Sequence, residues 1–117
     1  MTPMETRSQK EKQEIHLILD PGVCGFQCII RAKSIEKRKV HVEISGSECQ
    51  SVKQLTALLG DILLGDLFAP ISRNPVFLLA EKAGCHPSCP VPVGVLKAAE
   101  CAMEMALARA VSIRFEP

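Results

Sequence analysis

The sequence predicts an α+β domain in which a four-stranded, mainly antiparallel sheet is covered on one face by three helices. Three segments in the first half of the chain alternate apolar and polar residues with a period of two, which is typical of half-buried strands. Later segments place apolar residues at helical spacing. A last alternating segment near the C-terminus supplies the fourth strand, so the predicted order is βββαααβ in two layers.

The first three strands are predicted over residues 15–20, 26–33 and 40–45. Pro21-Gly22 separates the first two strands, and Glu36-Lys37-Arg38 separates the second from the third. Opposed residues on neighbouring strands must face the same side of the sheet. We therefore expect strands two and three to pair so that the residue numbers of two opposed residues add up to about 74.

Three helices and a fourth strand follow. The first helix is predicted from an apolar face that extends to Leu63. The second covers Val76 to Ala83, because Asn74-Pro75 can begin a helix and Gly84 can end one. The third follows a proline-rich segment and runs to about Ala108. The predicted fourth strand turns three residues toward the helices: Val111, Ile113 and Phe115.

Composition excludes several classes of protein. The chain has 117 residues and 47% hydrophobic residues, which suits one folded domain at residues 15–117 after a disordered tail at residues 1–14. A net charge of +1 and the absence of Trp and Tyr argue against nucleic-acid binding. We expect no signal peptide and no membrane segment, since no long apolar run is present. The expected location is therefore the cytoplasm.

Six cysteines stand out, because disulfides are rare in the cytoplasm and clustered thiols there more often bind metal or do redox chemistry. The strand register and the expected helix directions bring four of them to one end of the sheet: Cys24, Cys49, Cys85 and Cys89. Two others are expected to be incidental. Cys28 should be a small buried hydrophobic residue, and Cys101 should lie on the charged side of the third helix.

Thiolates from separate segments are the donors that Zn²⁺ or an iron–sulfur cluster requires. His86, next to Cys85, is an alternative ligand. No phosphate-binding glycine loop, dinucleotide fingerprint or serine elbow is present, which argues against an NTPase or a serine hydrolase. The residues leave open whether the protein is an enzyme.

The segment Cys89-Pro90-Val91-Pro92 resembles the Cys-Pro-X-Pro motif of the TusA-like sulfur carriers. In that family the cysteine opens a helix and carries a persulfide to a partner. The motif there precedes most of the fold, whereas here it lies in the last third of the chain. The resemblance therefore implies only a nucleophilic role for Cys89. A helix N-terminus would favour the thiolate through its free N–H groups and dipole.

Residues 15–115 also resemble a family of small uncharacterised proteins, many from anaerobic bacteria and archaea. The resemblance depends on residues 21–26, on Cys49 after the third strand, and on residues 89–92 with 94–98. It implies that Cys24, Cys49 and Cys89 belong together. An anaerobic setting would also tolerate an oxygen-sensitive cluster.

Three hypotheses result. The first is a small protein that binds Zn²⁺ or an iron–sulfur cluster through Cys24, Cys49 and Cys89, with Cys85 or His86 as a fourth ligand. The second is a sulfur-transfer or redox protein that acts through Cys89. The third is a structural or partner-binding domain without metal. An unknown protein partner is compatible with each, as is a homodimer across the outer sheet face, which carries Ile18 and Ile29.

Overall fold

The computed structural model describes residues 14–117 and confirms the predicted α+β class. A four-stranded sheet has its strands in chain order, and each neighbouring pair is antiparallel. The strands are β1 (Glu14–Leu19), β2 (Cys28–Glu36), β3 (Lys39–Ser45) and β4 (Ile62–Leu63). The predicted tail lies outside the described residues, apart from Glu14, which begins β1.

The predicted register of β2 and β3 is confirmed. Ile30 lies opposite Ile44, and Ala32 lies opposite Val42. The register shifts by one residue near the turn, where Glu36 pairs with Lys39 and Arg38 takes a φ of 67°. One face of these strands is therefore apolar and buried, whereas the other face is mostly exposed.

Three helices lie on the apolar face: α1 (Gln50–Leu58), α2 (Pro75–Ala83) and α3 (Val91–Ala102). Helix α3 packs across β1 and β2, while α2 packs chiefly against α1. Short 3₁₀ helices occur at Gly22–Cys24, Leu64–Phe68 and Ile71–Arg73. The second helix begins and ends as predicted, since the Asn74 side chain accepts a hydrogen bond from the Val76 N–H and Gly84 ends α2 with a φ of 86°.

Gly94 sets the spacing between α3 and the sheet. A Cβ atom at this position would lie 2.7 Å from Leu19 Cδ1 and 2.9 Å from Ile30 Cδ1. Both distances are shorter than a van der Waals contact, so only glycine allows the helix to approach this closely without a shift of its neighbours. The approach holds the first turns of α3 against the end of β1 and the start of β2.

The predicted identity of the fourth strand is wrong. Residues 111–117 form no regular secondary structure, and Val111, Ile113 and Phe115 are 60%, 89% and 100% exposed. The fourth strand is instead the two-residue β4, which pairs with the start of β3. The order along the chain is thus βββαβαα. The sequence predicts that Ile62 and Leu63 belong to the first helix, but that helix ends at Leu58, two residues before Gly60, a poor helix former.

Helix α3 ends six residues earlier than the predicted Ala108. Ala102 is its last buried residue, and Glu104 then takes a left-handed φ of 62°. The Met105 N–H donates to the Glu100 carbonyl at 2.9 Å, and this bond closes the helix end. Residues 104–117 are exposed throughout, so the chain beyond the helix has no layer to pack against.

Candidate functional site

The direction of α2 decides whether Cys85 reaches the other thiols. The Ser51 hydroxyl donates a hydrogen bond of 3.1 Å to the Gly84 carbonyl, which joins the end of α2 to the first turn of α1. The Cys85 thiol lies 3.9 Å from the Ser51 carbonyl. The two helices therefore run antiparallel, as expected, and Cys85 lies beside the N-terminus of α1.

Cys49 immediately precedes α1 and is half-buried against the core. Its N–H donates to the hydroxyl of buried Ser47 at 3.1 Å, and its carbonyl accepts from the Lys53 N–H at 2.9 Å. These two bonds fix the backbone of Cys49 at the point where the chain leaves β3 and enters α1. Ser47 and Ser51 are positioning residues that sequence reasoning missed, because a single serine in a loop carries no distinctive pattern.

Cys89 lies just before α3, and its surroundings act on its thiol in opposite directions. Burial raises its pKa and is the largest effect, while a hydrogen bond from the Val91 N–H lowers it. The nearby thiols of Cys49 and Cys24 raise the pKa further, and a hydrogen bond from Cys85 lowers it. The net result is a raised pKa. The start of α3 lowers the pKa of Cys89, as expected of a helix N-terminus, but burial raises this pKa by more.

The Cys85 thiol donates to the Ser51 carbonyl at 3.9 Å and also lies near Cys89. Burial is the main cause that raises the pKa of Cys85 to about 11, and the nearby thiols of Cys89 and Cys49 add to the effect. A proton therefore stays on the Cys85 thiol at neutral pH. The neighbouring thiols of Cys85, Cys89 and Cys49 form the centre of the site.

Cys24 is the exposed member of the group. It ends the 3₁₀ helix Gly22–Cys24 in the loop between β1 and β2. Asp20 organises this loop, since its carboxylate accepts hydrogen bonds from the Gly22 N–H at 3.0 Å and from the Gln27 side chain at 3.4 Å. Asp20 is a third positioning residue that the sequence analysis did not identify, although an aspartate before Pro-Gly is typical of such turns.

The remaining sequence candidates occupy different environments. Cys28 is 2% exposed in the core, as predicted, and burial raises its pKa. Cys101 is half-buried on α3, near Glu100 and Lys97. The His86 side chain is exposed, while its carbonyl accepts a hydrogen bond of 3.0 Å from the Cys89 N–H. His86 thus shapes the turn that leads to Cys89.

Cys49 comes from one segment, Cys85 and Cys89 from a second and Cys24 from a third, and Cys49 and Cys24 are near enough to raise the pKa of Cys89. Within residues 14–117, no three side chains of His, Cys, Asp or Glu are already arranged to hold a metal ion. The same residues include no helix with the length and apolar character needed to cross a membrane.

Comparison with known proteins identifies a family. No curated protein and no solved structure shows detectable similarity to the chain. The sequence profile of a family of unknown function, DUF6951, matches residues 15–115. The matched range includes the three helices, the four strands except Glu14 at the start of β1, and all six cysteines. The chain therefore belongs to the family of unknown function DUF6951.

Proposed function

We propose that the protein binds Zn²⁺ or an iron–sulfur cluster through Cys24, Cys49 and Cys89, with Cys85 as the fourth ligand. The observation that carries the proposal is the convergence of four thiols from three chain segments at the N-termini of α1 and α3. Soft sulfur donors favour these metals over Mg²⁺ or Ca²⁺. Reduced thiols also require a reducing compartment, so the proposal expects a cytoplasmic protein.

Electrostatics favours a cation at this position. The thiols of Cys24, Cys49 and Cys85 surround Cys89, and every thiolate formed there disfavours the next. A bound metal ion would remove this repulsion and deprotonate the thiols as it binds. The free N–H groups at the start of α3 would stabilise the remaining negative charge.

Cys85 is a better fourth ligand than His86. The Cys85 thiol lies near Cys89 and packs against the core, whereas the His86 side chain is exposed. Because no three thiols within residues 14–117 are arranged to hold a metal ion, metal binding would require these thiols to move closer together, the exposed Cys24 among them.

Metal binding can be measured on the full chain purified without oxygen. Total zinc, iron and sulfide should be determined first, and the metal-free protein should then be titrated with Co²⁺. Because the chain contains no Trp or Tyr, thiolate-to-metal absorption bands will be visible against a nearly transparent background. We expect one Co²⁺ per chain in a thiolate-rich site.

Loss of a residue that only orients a metal ligand costs roughly 10–100-fold in metal affinity. The Cys89→Ser variant should weaken Co²⁺ binding by more than this, because it removes a ligand. Cys101→Ser is the matched control, because Cys101 is also a half-buried free thiol but lies away from the cluster, and it should bind Co²⁺ like the parent. Equal affinities for the two variants, or a parent protein that takes up neither cobalt, zinc nor iron, would disprove the proposal and favour a structural or partner-binding domain.

A second candidate function is sulfur transfer through Cys89. It is favoured by the place of Cys89 just before α3, where the Val91 N–H lowers the pKa of the thiol against the larger effect of burial. In this reaction the Cys89 thiolate attacks the outer sulfur of a donor persulfide. A new S–S bond forms on Cys89, the donor S–S bond breaks, and the donor leaves as a thiolate that takes up a proton.

Mass spectrometry distinguishes this candidate from metal binding. Metal-free protein treated with cysteine persulfide should gain one sulfur atom on Cys89 and pass it to an added thiol. The Cys89→Ser variant should gain none at this position, whereas Cys101→Ser should behave like the parent. Labelling spread evenly over all exposed cysteines would argue against a dedicated carrier.

A further inference from the structure

The chain beyond α3, residues 103–117, carries a strand-like pattern without a strand partner. Val111, Ile113 and Phe115 alternate with Ser112, Arg114 and Glu116, and the three apolar side chains are largely or fully exposed. We call residues 110–117 the C-terminal arm. Exposed apolar residues that repeat with a period of two and end in a fully exposed Phe are typical of a strand that becomes half-buried on association.

The sheet offers a matching surface at β1. Within residues 14–117, β1 pairs only with β2, so its other edge presents unpaired backbone groups. The core is also open on this side, since Leu17 and Leu19 point toward the helices but are only half-buried. An added strand with an alternating apolar face would pair with this edge and complete the cover over both leucines.

We propose that the C-terminal arm of one copy adds as an antiparallel strand to the β1 edge of a second copy, and that the two copies exchange arms reciprocally. An antiparallel alignment can place each apolar arm residue beside an apolar residue of β1: Val111 beside Leu19, Ile113 beside Leu17 and Phe115 beside Ile15. The same alignment sets Arg114 opposite His16 and Glu116 opposite Glu14 on the outer face, so the apolar pairs and not the charges favour it.

Chain direction favours a second copy over closure on the same chain. The start of α3 lies against Leu19, at the end of β1, so α3 runs opposite to β1. An arm that turned back from the far end of α3 would run parallel to its own β1. The arm of a second copy related by a two-fold axis can instead run antiparallel to β1, as the neighbouring strands of this sheet do.

Sedimentation of the full chain tests the proposal. We expect a concentration-dependent dimer whose dissociation constant rises at least about 100-fold in Ile113→Glu, because the symmetric interface buries the new charge twice. Ser112→Glu is the matched control. It adds the same charge one residue away on the outer face of the arm, and it should change the dissociation constant less than about threefold. Circular dichroism should show the same fold for both variants.

Hydrogen exchange of the amides at residues 111–115 identifies the pairing. These amides should be protected at dimer concentrations and exposed on dilution. Three results would overturn the proposal: a chain that stays monomeric at high concentration, protection that persists in the monomer and so shows closure on the same chain, or a dimer that Ile113→Glu does not weaken and that therefore uses another face.

Discussion

At the scale of single residues, the clearest ionisable arrangement outside the cysteine site is centred on His41. Its Nδ1 lies 3.0 Å from an Asp61 oxygen and its Nε2 lies 3.4 Å from a Glu43 oxygen. The hydrogen bond with Asp61 is the main cause that raises the pKa of His41, and Glu43 adds to it. The contact joins β3 to the segment just before β4 and so supports the short fourth strand.

We predict that this arrangement makes stability depend on pH. Because the folded-state pKa of His41 is raised, its contribution is fully present below the unfolded pKa of about 6.5 and is lost as pH rises through the folded value. The parent should therefore unfold at lower urea at about pH 8 than at about pH 6. His41→Gln should lose this difference, and Asp61→Asn should reduce it. If both variants kept the same difference in urea unfolding between the two pH values, His41 would not be its source.

At the scale of secondary-structure elements, Asn74 connects α2 to the irregular segment before it. The side chain is 3% exposed and makes hydrogen bonds in both directions. Its oxygen accepts from the Val76 N–H at 3.0 Å, and its amide donates to the carbonyls of Asp66 at 2.8 Å and Ala69 at 3.3 Å. One residue thus begins the helix and holds the 3₁₀ helix Leu64–Phe68 and the residue that follows it.

Asn74→Ala should lower the free energy of unfolding by about 2–3 kcal/mol, of which the cap contributes about 1 kcal/mol and the unpaired buried groups contribute the rest. Urea unfolding followed by far-ultraviolet circular dichroism measures the loss. The neighbouring Ser72→Ala, on the exposed 3₁₀ turn, should stay within about 0.5 kcal/mol of the parent. A loss below about 0.5 kcal/mol in Asn74→Ala would show that water replaces these bonds.

At the scale of the whole molecule, the separation of the helix layer from the sheet depends on Gly94. We predict that Gly94→Ala destabilises the fold by up to about 2 kcal/mol, because overpacking costs about 1–3 kcal/mol and the better helix propensity of alanine returns about 1 kcal/mol. Ile30 is fully buried and cannot move aside freely. Thermal unfolding measures the change.

Gly60→Ala is the control for this prediction. Gly60 lies in the loop after α1, and an added Cβ would meet no atom within 4 Å. This variant should be neutral or slightly more stable, since alanine restricts the unfolded chain. If Gly94→Ala were as stable as Gly60→Ala, the layers would be able to separate without loss, and the position of Cys89 at the start of α3 would be less constrained than the contacts indicate.

The sequence by itself determined the features that depend on neighbours along the chain. The alternation in β2 and β3, with a turn between them, sets the pairing of Ile30 with Ile44 because a one-residue slip would expose the apolar face. Asn74 and Gly84 mark the ends of α2 through local hydrogen bonds and backbone angles. The same register and chain direction were enough to bring Cys49 and Cys85 to the end of the sheet where Cys89 lies.

Only the tertiary structure decided the rest. Residues 111–115 have the alternation of a strand, but alternation does not specify a partner, and a strand exists only where another strand pairs with it. Ile62 and Leu63 form β4 because they lie beside β3, although two residues are too few to show a period. The raised pKa values of Cys85 and Cys89 likewise depend on burial and on the distances between thiols, which no sequence spacing records.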